Sequence, residues 1–175
     1  MPVAPDEPAW LHPHVHEPNP EPPTADPAIL VRLPDGRQAT VDVAALRSLP
    51  AVRIPDCLIV STGHGTSGPF EFAGARLDDL LRSVLGPGQP WHHADVVSAD
   101  GFGTRVYADE LAPSAARPPL LSYAVDDRPL TRAQGLVRLV VPSETDDALR
   151  QVKWVAEIRV ATGQAGQPDA DDGGA

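Results

Sequence analysis

Gly135-Leu-Val-Arg-Leu-Val-Val-Pro142 and, ten residues on, Val152-Lys-Trp-Val-Ala-Glu-Ile-Arg-Val160 decide the reading of this chain. Both are apolar and rich in β-branched residues. Runs of this length and composition read as strands, and the first is apolar enough to be buried on both faces. It holds a single charge, Arg138. A charge inside a buried strand costs several kcal/mol unless it is paired or reaches a site. Lys153 is the only lysine in the chain and stands beside Trp154 at the start of the second run. Arg138 and Lys153 are therefore candidates for gripping an anion.

Working outward, more strands come into view. Ile29-Leu-Val-Arg-Leu33, the turn Pro34-Asp-Gly36 and Gln38-Ala-Thr-Val-Asp-Val43 read as a hairpin. Val43 to Leu49 reads as one or two helical turns. Strands are expected over Val52 to Ser61, Asp95 to Ser98, Thr104 to Tyr107, Leu120 to Val125, Leu136 to Val141 and Gln151 to Val160. Arg76 to Leu85 places Leu77, Leu80, Leu81, Val84 and Leu85 on one helical face, ended by Gly86-Pro-Gly88. Asp78 and Asp79 sit early in that helix, where acids favour the positive dipole end. Asp109 to Leu111 reads as a short helical turn, and Asp100-Gly101 as a turn. Many strands, few helices and no regular alternation predict an α+β fold: mostly β, a mixed-sheet or barrel-like core with short helices.

Residues 1 to 27 are rich in Pro, Glu, Asp and His, and residues 163 to 175 are acidic and glycine-rich. Neither segment can bury enough apolar surface to offset its ordering entropy, so both read as disordered tails around one domain over residues 28 to 162. His12, His14 and His16 alternate in the first tail, without a scaffold to fix metal geometry. Trp91-His-His93 reads as a surface loop with a docked tryptophan.

The net charge of −10 excludes an electrostatic footprint for nucleic acid or an anionic membrane. No apolar stretch approaches the roughly 20 residues of a membrane span. The first residues have no basic or apolar signal character, and a single cysteine forbids an internal disulfide. The expected compartment is the cytoplasm.

The two opening stretches resemble the closing segment of the sulfite-oxidase-type molybdopterin-binding domain, "G-x-P-L-R-L-V-V-P … V-K-W-V/L-x-x-I-x-V". Further pieces follow that family's order: Ala45-Leu-Arg-Ser-Leu-Pro50, Phe72-Ala-Gly-Ala-Arg-Leu-Asp-Asp-Leu-Leu81, Val97-Ser-Ala-Asp-Gly-Phe102 and Leu121-Ser-Tyr-Ala-Val-Asp-Asp-Arg-Pro-Leu130. The resemblance covers about residues 28 to 162. It implies a molybdopterin cofactor, with Arg138 and Lys153 near its phosphate and pterin. It also implies two-electron oxygen-atom transfer. The sequence has no Cys-x-x-Cys-His haem motif, so if the chain is active its redox partner is expected to be a separate protein.

The family's molybdenum ligand is a cysteine about a dozen residues before the glycine matched here by Gly74. That spacing lands on Ser61. Cys57 lies four residues earlier, roughly 13 Å along a strand. A thiolate is a soft anionic donor and a serine hydroxyl is not, so the resemblance implies a site without its usual ligand. Cys57 then reads as a small buried apolar-like residue, although molybdenum ligation through Ser61 or Cys57 stays open. Ala133-Gln-Gly-Leu-Val-Arg138 departs from the family's pattern as well: Gln134 stands where the family has histidine, and the proline is gone.

Ser61-Thr-Gly-His-Gly-Thr-Ser-Gly-Pro69 carries three glycines and four hydroxyls. It reads either as an anion-binding loop with His64 as its polar contact, or as a hairpin loop bonded to itself. The site expected from all this is Ser61, His64, Arg138 and Lys153 around a small anionic ligand or pterin. The alternative is a non-catalytic ligand-binding or protein-interaction scaffold that keeps only the fold.

Overall fold

A computed structural model describes residues 21–61, 65–111, 116–142 and 150–163. Two sheets organise it. The first, sheet A, runs β2 (Gln38–Val41), β1 (Ile29–Arg32), β10 (Val155–Ala161), β5 (His93–Ser98) and β6 (Gly103–Tyr107). Its neighbours are antiparallel except β1 and β10, which run parallel, with Leu30 opposite Glu157 and Arg32 opposite Arg159. The second, sheet B, is antiparallel and runs β3 (Ala51–Ser61), β4 (Gly65–Arg76), β7 (Leu120–Val125) and the short β8 (Arg128–Pro129). A further strand, β9 (Arg138–Val140), pairs with β7 beside β8.

The mostly-β α+β expectation holds, and so does the hairpin through Pro34-Asp-Gly36. The barrel-like part does not: among the described residues the two sheets stay open. The strand after Ser61 also differs from expectation. The loop expected over Ser61 to Pro69 is largely strand, since Gly65, Thr66 and Ser67 pair with Ser61, Val60 and Ile59.

Helix α1 (Val43–Ser48) starts where the Asp42 carboxylate accepts the Ala45 N–H at 2.7 Å, and Pro50 stops it. Helix α2 (Leu77–Leu85) buries Leu77, Leu80, Leu81 and Leu85, the apolar stripe read from the sequence. A 3₁₀ turn over Ala108–Glu110 follows β6.

Two cores result. The larger gathers Ile29, Val31, Val96, Ile158 and Val160 of sheet A, the leucines of α2, and Leu121 and Leu139 of sheet B. The smaller gathers Ile54, Cys57, Phe72, Leu120, Val125, Leu130 and Val140 on the other side of sheet B. Adjacent residues thus go to different cores: Leu120 and Leu121 on β7, Leu139 and Val140 on β9. Both strands are covered on two faces, which is why β9 reads as an unbroken apolar run. Strands β4 and β7 approach closely at a bulge. A Cβ on Gly74 would lie 2.1 Å from the Leu121 carbonyl oxygen, so only glycine fits there.

Candidate functional site

Arg138 is the charge that the fold leaves least provided for. It lies on β9 opposite Ser122, is 6% exposed, and its guanidinium carbon sits 5.2 Å from the centre of the Phe72 ring. Its Nε is buried and has no hydrogen-bond partner among the described residues. Burial pushes the group down to about 10, since nothing nearby offsets the loss of water around the cation. The ring face supplies some cation–π attraction, which falls well short of a carboxylate partner.

Lys153 belongs to the same neighbourhood. The Leu139 and Val152 backbones exchange hydrogen bonds, at 2.8 and 3.2 Å, as an isolated antiparallel bridge. That register sets Arg138 across from Lys153. Lys153 is exposed, with its ammonium 5.5 Å from the Trp154 ring centre. Partial burial at that end, and then the Arg138 charge, push the ammonium below its ordinary range. No acid answers either cation among the described residues. Glu144, Asp146 and Asp147, the acids nearest in sequence, lie outside them.

The backbone around this pair is unusual. Gly135 has φ +112, and a Cβ there would lie 3.0 Å from Lys153 Cβ. Leu136 and Trp154 adopt positive φ, at 57° and 49°. Such values are strained for bulky side chains and persist only where the surroundings impose them. Here the surroundings are hydrogen bonds: Trp154 N–H to Gly135 O at 2.9 Å, Val155 N–H to Val137 O at 3.0 Å, and Trp154 Nε1 to Arg132 O at 2.6 Å. Together they clasp the segment carrying Arg138 to the one carrying Lys153. Arg132 in turn donates to the carbonyls of Thr24 and Pro22, at 2.9 and 2.8 Å.

Cys57 is 4% exposed and packs in the smaller core. Its sulfur lies 3.4 Å from Ile54 O, and the Arg117 guanidinium lies 3.6 Å from it. Burial pushes the thiol above its usual value; Arg117 opposes this but does not win. A buried, neutral thiol is a poor metal ligand. Ser61 ends β3, with its backbone paired to Gly65. His64 lies outside the described residues, as do His12, His14 and His16. Of the residues singled out from the sequence, Arg138 and Lys153 are set across from each other by the Leu139–Val152 bridge. Sequence reasoning missed Phe72 as the ring beneath Arg138, and Gln151, whose buried Oε1 also has no partner among the described residues. Phe72 carried a signal, the alternation of its apolar run. Gln151 carried none.

Among the described residues no group of three or more His, Cys, Asp or Glu side chains could hold a metal ion. No helix there is long and apolar enough to cross a membrane. A cavity of about 420 Å³ opens beside the end of α2, between Asp78, Arg82 and Trp91, and its lining includes neither Arg138 nor Lys153.

Residues 31–168 match the family model for the oxidoreductase molybdopterin-binding domain. The chain belongs to this family, and a molybdopterin cofactor is consistent with it. Among solved structures, the chain is similar to the crystal structure of the sulfane dehydrogenase SoxCD from Paracoccus pantotrophus, with a TM-score of 0.56 and 16% sequence identity. The match covers 78% of this chain and 38% of that one, and shows a shared fold. A comparison with curated proteins finds no match.

The residues fit one part of such a cofactor. A buried guanidinium whose Nε has no partner among the described residues, beside an ammonium, suits phosphate and pterin oxygens. The donor set for the metal fits less well, because the one thiol is buried among apolar side chains and bonded to backbone.

Proposed function

We propose that residues 28–162 form a molybdopterin-binding domain that holds the anionic part of the cofactor through Arg138 and Lys153. Ser61 and His64 would serve only a distant part of the ligand, because Ser61 pairs with Gly65, seven residues and roughly 23 Å of strand along β4 from the Phe72 beneath Arg138; no cysteine ligates molybdenum. The observation that carries this reading is the buried Arg138 Nε without a partner among the described residues. A chain retains such a donor at a cost unless a ligand supplies the acceptor. When bound, the group supplies two-electron oxygen-atom chemistry at its metal; the protein contributes orientation and electrostatics. Arg138 and Lys153 fix the anion, and the ring of Phe72 keeps water from one side of the guanidinium. The protein works in the cytoplasm, and any electrons pass to a separate redox partner.

A second reading, a scaffold that keeps the fold without chemistry, is favoured by the position of Cys57, which presents no thiolate to a metal. One preparation separates the two. The full chain is produced in a host that makes the cofactor, and molybdenum and released fluorescent pterin are measured per mole of protein. Near-stoichiometric pterin, lost at least tenfold in Arg138→Met and retained in Cys57→Ala, supports the first reading. Protein empty of both leaves the scaffold. Loss of molybdenum in Cys57→Ala would show that the thiol is a ligand after all.

A further inference from the structure

Two buried polar atoms lack partners among the described residues: Arg138 Nε, a donor, and Gln151 Oε1, an acceptor. Buried polar groups are ordinarily satisfied, so each orphan calls for an explanation. Their positions supply one. Leu139 and Val152 bridge each other and both pack into the larger core. Side chains alternate along extended backbone, so the flanking residues turn to the opposite face. That face holds Arg138 and Val140 from β9, and Gln151 and Lys153 from the facing segment. In this register Gln151 is opposite Val140 and diagonal to Arg138, with Cβ atoms about 7 Å apart. The donor and the acceptor are therefore neighbours on one surface, yet they are not bonded to each other.

A fully deprotonated oxyanion such as sulfate would satisfy Arg138 and leave Gln151 orphaned, since it brings only acceptors, and a hydrogen phosphate has no rigid edge that sets a donor beside its acceptor. A ligand that satisfies both presents an oxygen acceptor and an N–H donor a few ångströms apart on one rigid edge. The amino-oxo edge of a pterin has that pattern.

We propose that Gln151 is a specificity-determining residue of the site described above, its carboxamide oxygen accepting an N–H from the heterocycle while Arg138 donates to an oxygen of the same ligand. This rests on the molybdopterin reading and adds how the ring is told apart from other anions. In cofactor-free protein the carboxamide oxygen is buried with no partner among the described residues, so removing it relieves the folded state and injures binding. A residue that merely supported the fold would lose both together.

The experiment uses the full chain from a cofactor-making host: wild type, Gln151→Leu and Gln151→Glu. Retained pterin is measured by fluorescence after denaturation. Cofactor-free protein from a host unable to make the cofactor is melted in parallel, and its affinity for inorganic phosphate is measured. The expected result is at least tenfold less pterin in Gln151→Leu, an unchanged or raised melting temperature of its cofactor-free form, and unchanged phosphate affinity. Gln151→Glu keeps the acceptor and retains more pterin than Gln151→Leu. Equal pterin in wild type and Gln151→Leu overturns the role of Gln151 and leaves the molybdopterin reading standing. Pterin absent from wild type overturns both. A cofactor-free Gln151→Leu that melts several degrees lower overturns the proposal in favour of a structural role.

Discussion

Replacing Arg138 by methionine tests the central argument through stability alone. The side chain is 6% exposed, and its basicity falls from the ordinary arginine range to about 10. That drop corresponds to a penalty of about 3 kcal/mol on the charged form at neutral pH, where the group is fully protonated in both folded and unfolded chains. Methionine keeps much of the stem's volume and removes the charge. It also loses the contact with the Phe72 ring, worth about 1–2 kcal/mol when desolvated. The net expectation for cofactor-free protein is a gain of about 1–2 kcal/mol, or roughly 3–8 °C in melting temperature for a domain of this size. The sign with pH follows from proton binding. A group whose basicity is lowered by folding binds fewer protons in the native state, so stability rises as pH climbs through about 10 and the penalty is lifted. The advantage of Arg138→Met therefore holds below pH 9 and narrows above 10. Urea unfolding of both proteins at pH 7, 9 and 10.5 measures it. Arg138→Met less stable than wild type by 2 kcal/mol or more would refute the reasoning, because it would mean that the guanidinium has a strong partner in the folded chain.

Three further expectations are independent of any ligand. Gly74→Ala drives a Cβ to 2.1 Å from the Leu121 carbonyl oxygen; a loss of about 3 kcal/mol or more in denaturant unfolding is expected, and a change below 1 kcal/mol would show that β4 and β7 can part. Cys57, 4% exposed with its thiol raised by burial, should resist a thiol-labelling reagent at pH 8 until denaturant is added; full labelling of native protein within minutes would contradict its placement. Asp95 accepts two hydrogen bonds from Arg105, at 2.7 and 3.0 Å, with both side chains largely buried. Asp95→Asn leaves Arg105 without its counter-charge and should cost about 2–4 kcal/mol, most of it recovered in Asp95→Val with Arg105→Leu; an additive double variant would show that the two do not interact.

Most strands of this fold were legible because burial on one or two faces leaves a pattern of apolar residues that needs no partner to be seen. The hairpin through Pro34-Asp-Gly36 and helix α2 were legible for the same reason, helped by turn residues at their ends. The first half of β4 was not. Gly65-Thr-Ser-Gly-Pro69 carries loop-forming residues, and its strand character comes from backbone pairing with β3 on an exposed arm, which leaves no apolar alternation. The barrel-like expectation failed because sheet closure depends on which edges meet, and side-chain pattern does not encode that. At the site, Arg138 stood out as a charge among valines and leucines. Gln151 could not, since a polar residue near a loop becomes notable only when its oxygen is found buried and unbonded.

Strand β10 lies between β1 and β5, so the last of the described strands fills the middle of sheet A. Until it arrives, the hairpin of β1 and β2 has no partner on its inner edge, and neither does the pair β5 and β6. Folding of this half of the molecule therefore waits on a contact spanning more than a hundred residues, between Leu30 and Glu157. Loop closure of that length is slow and leaves two strand edges open meanwhile. During synthesis on the ribosome, sheet A can close only after residue 161 has cleared the exit tunnel. Until then the partly made chain carries two unpaired strand edges, the kind of surface that favours aggregation.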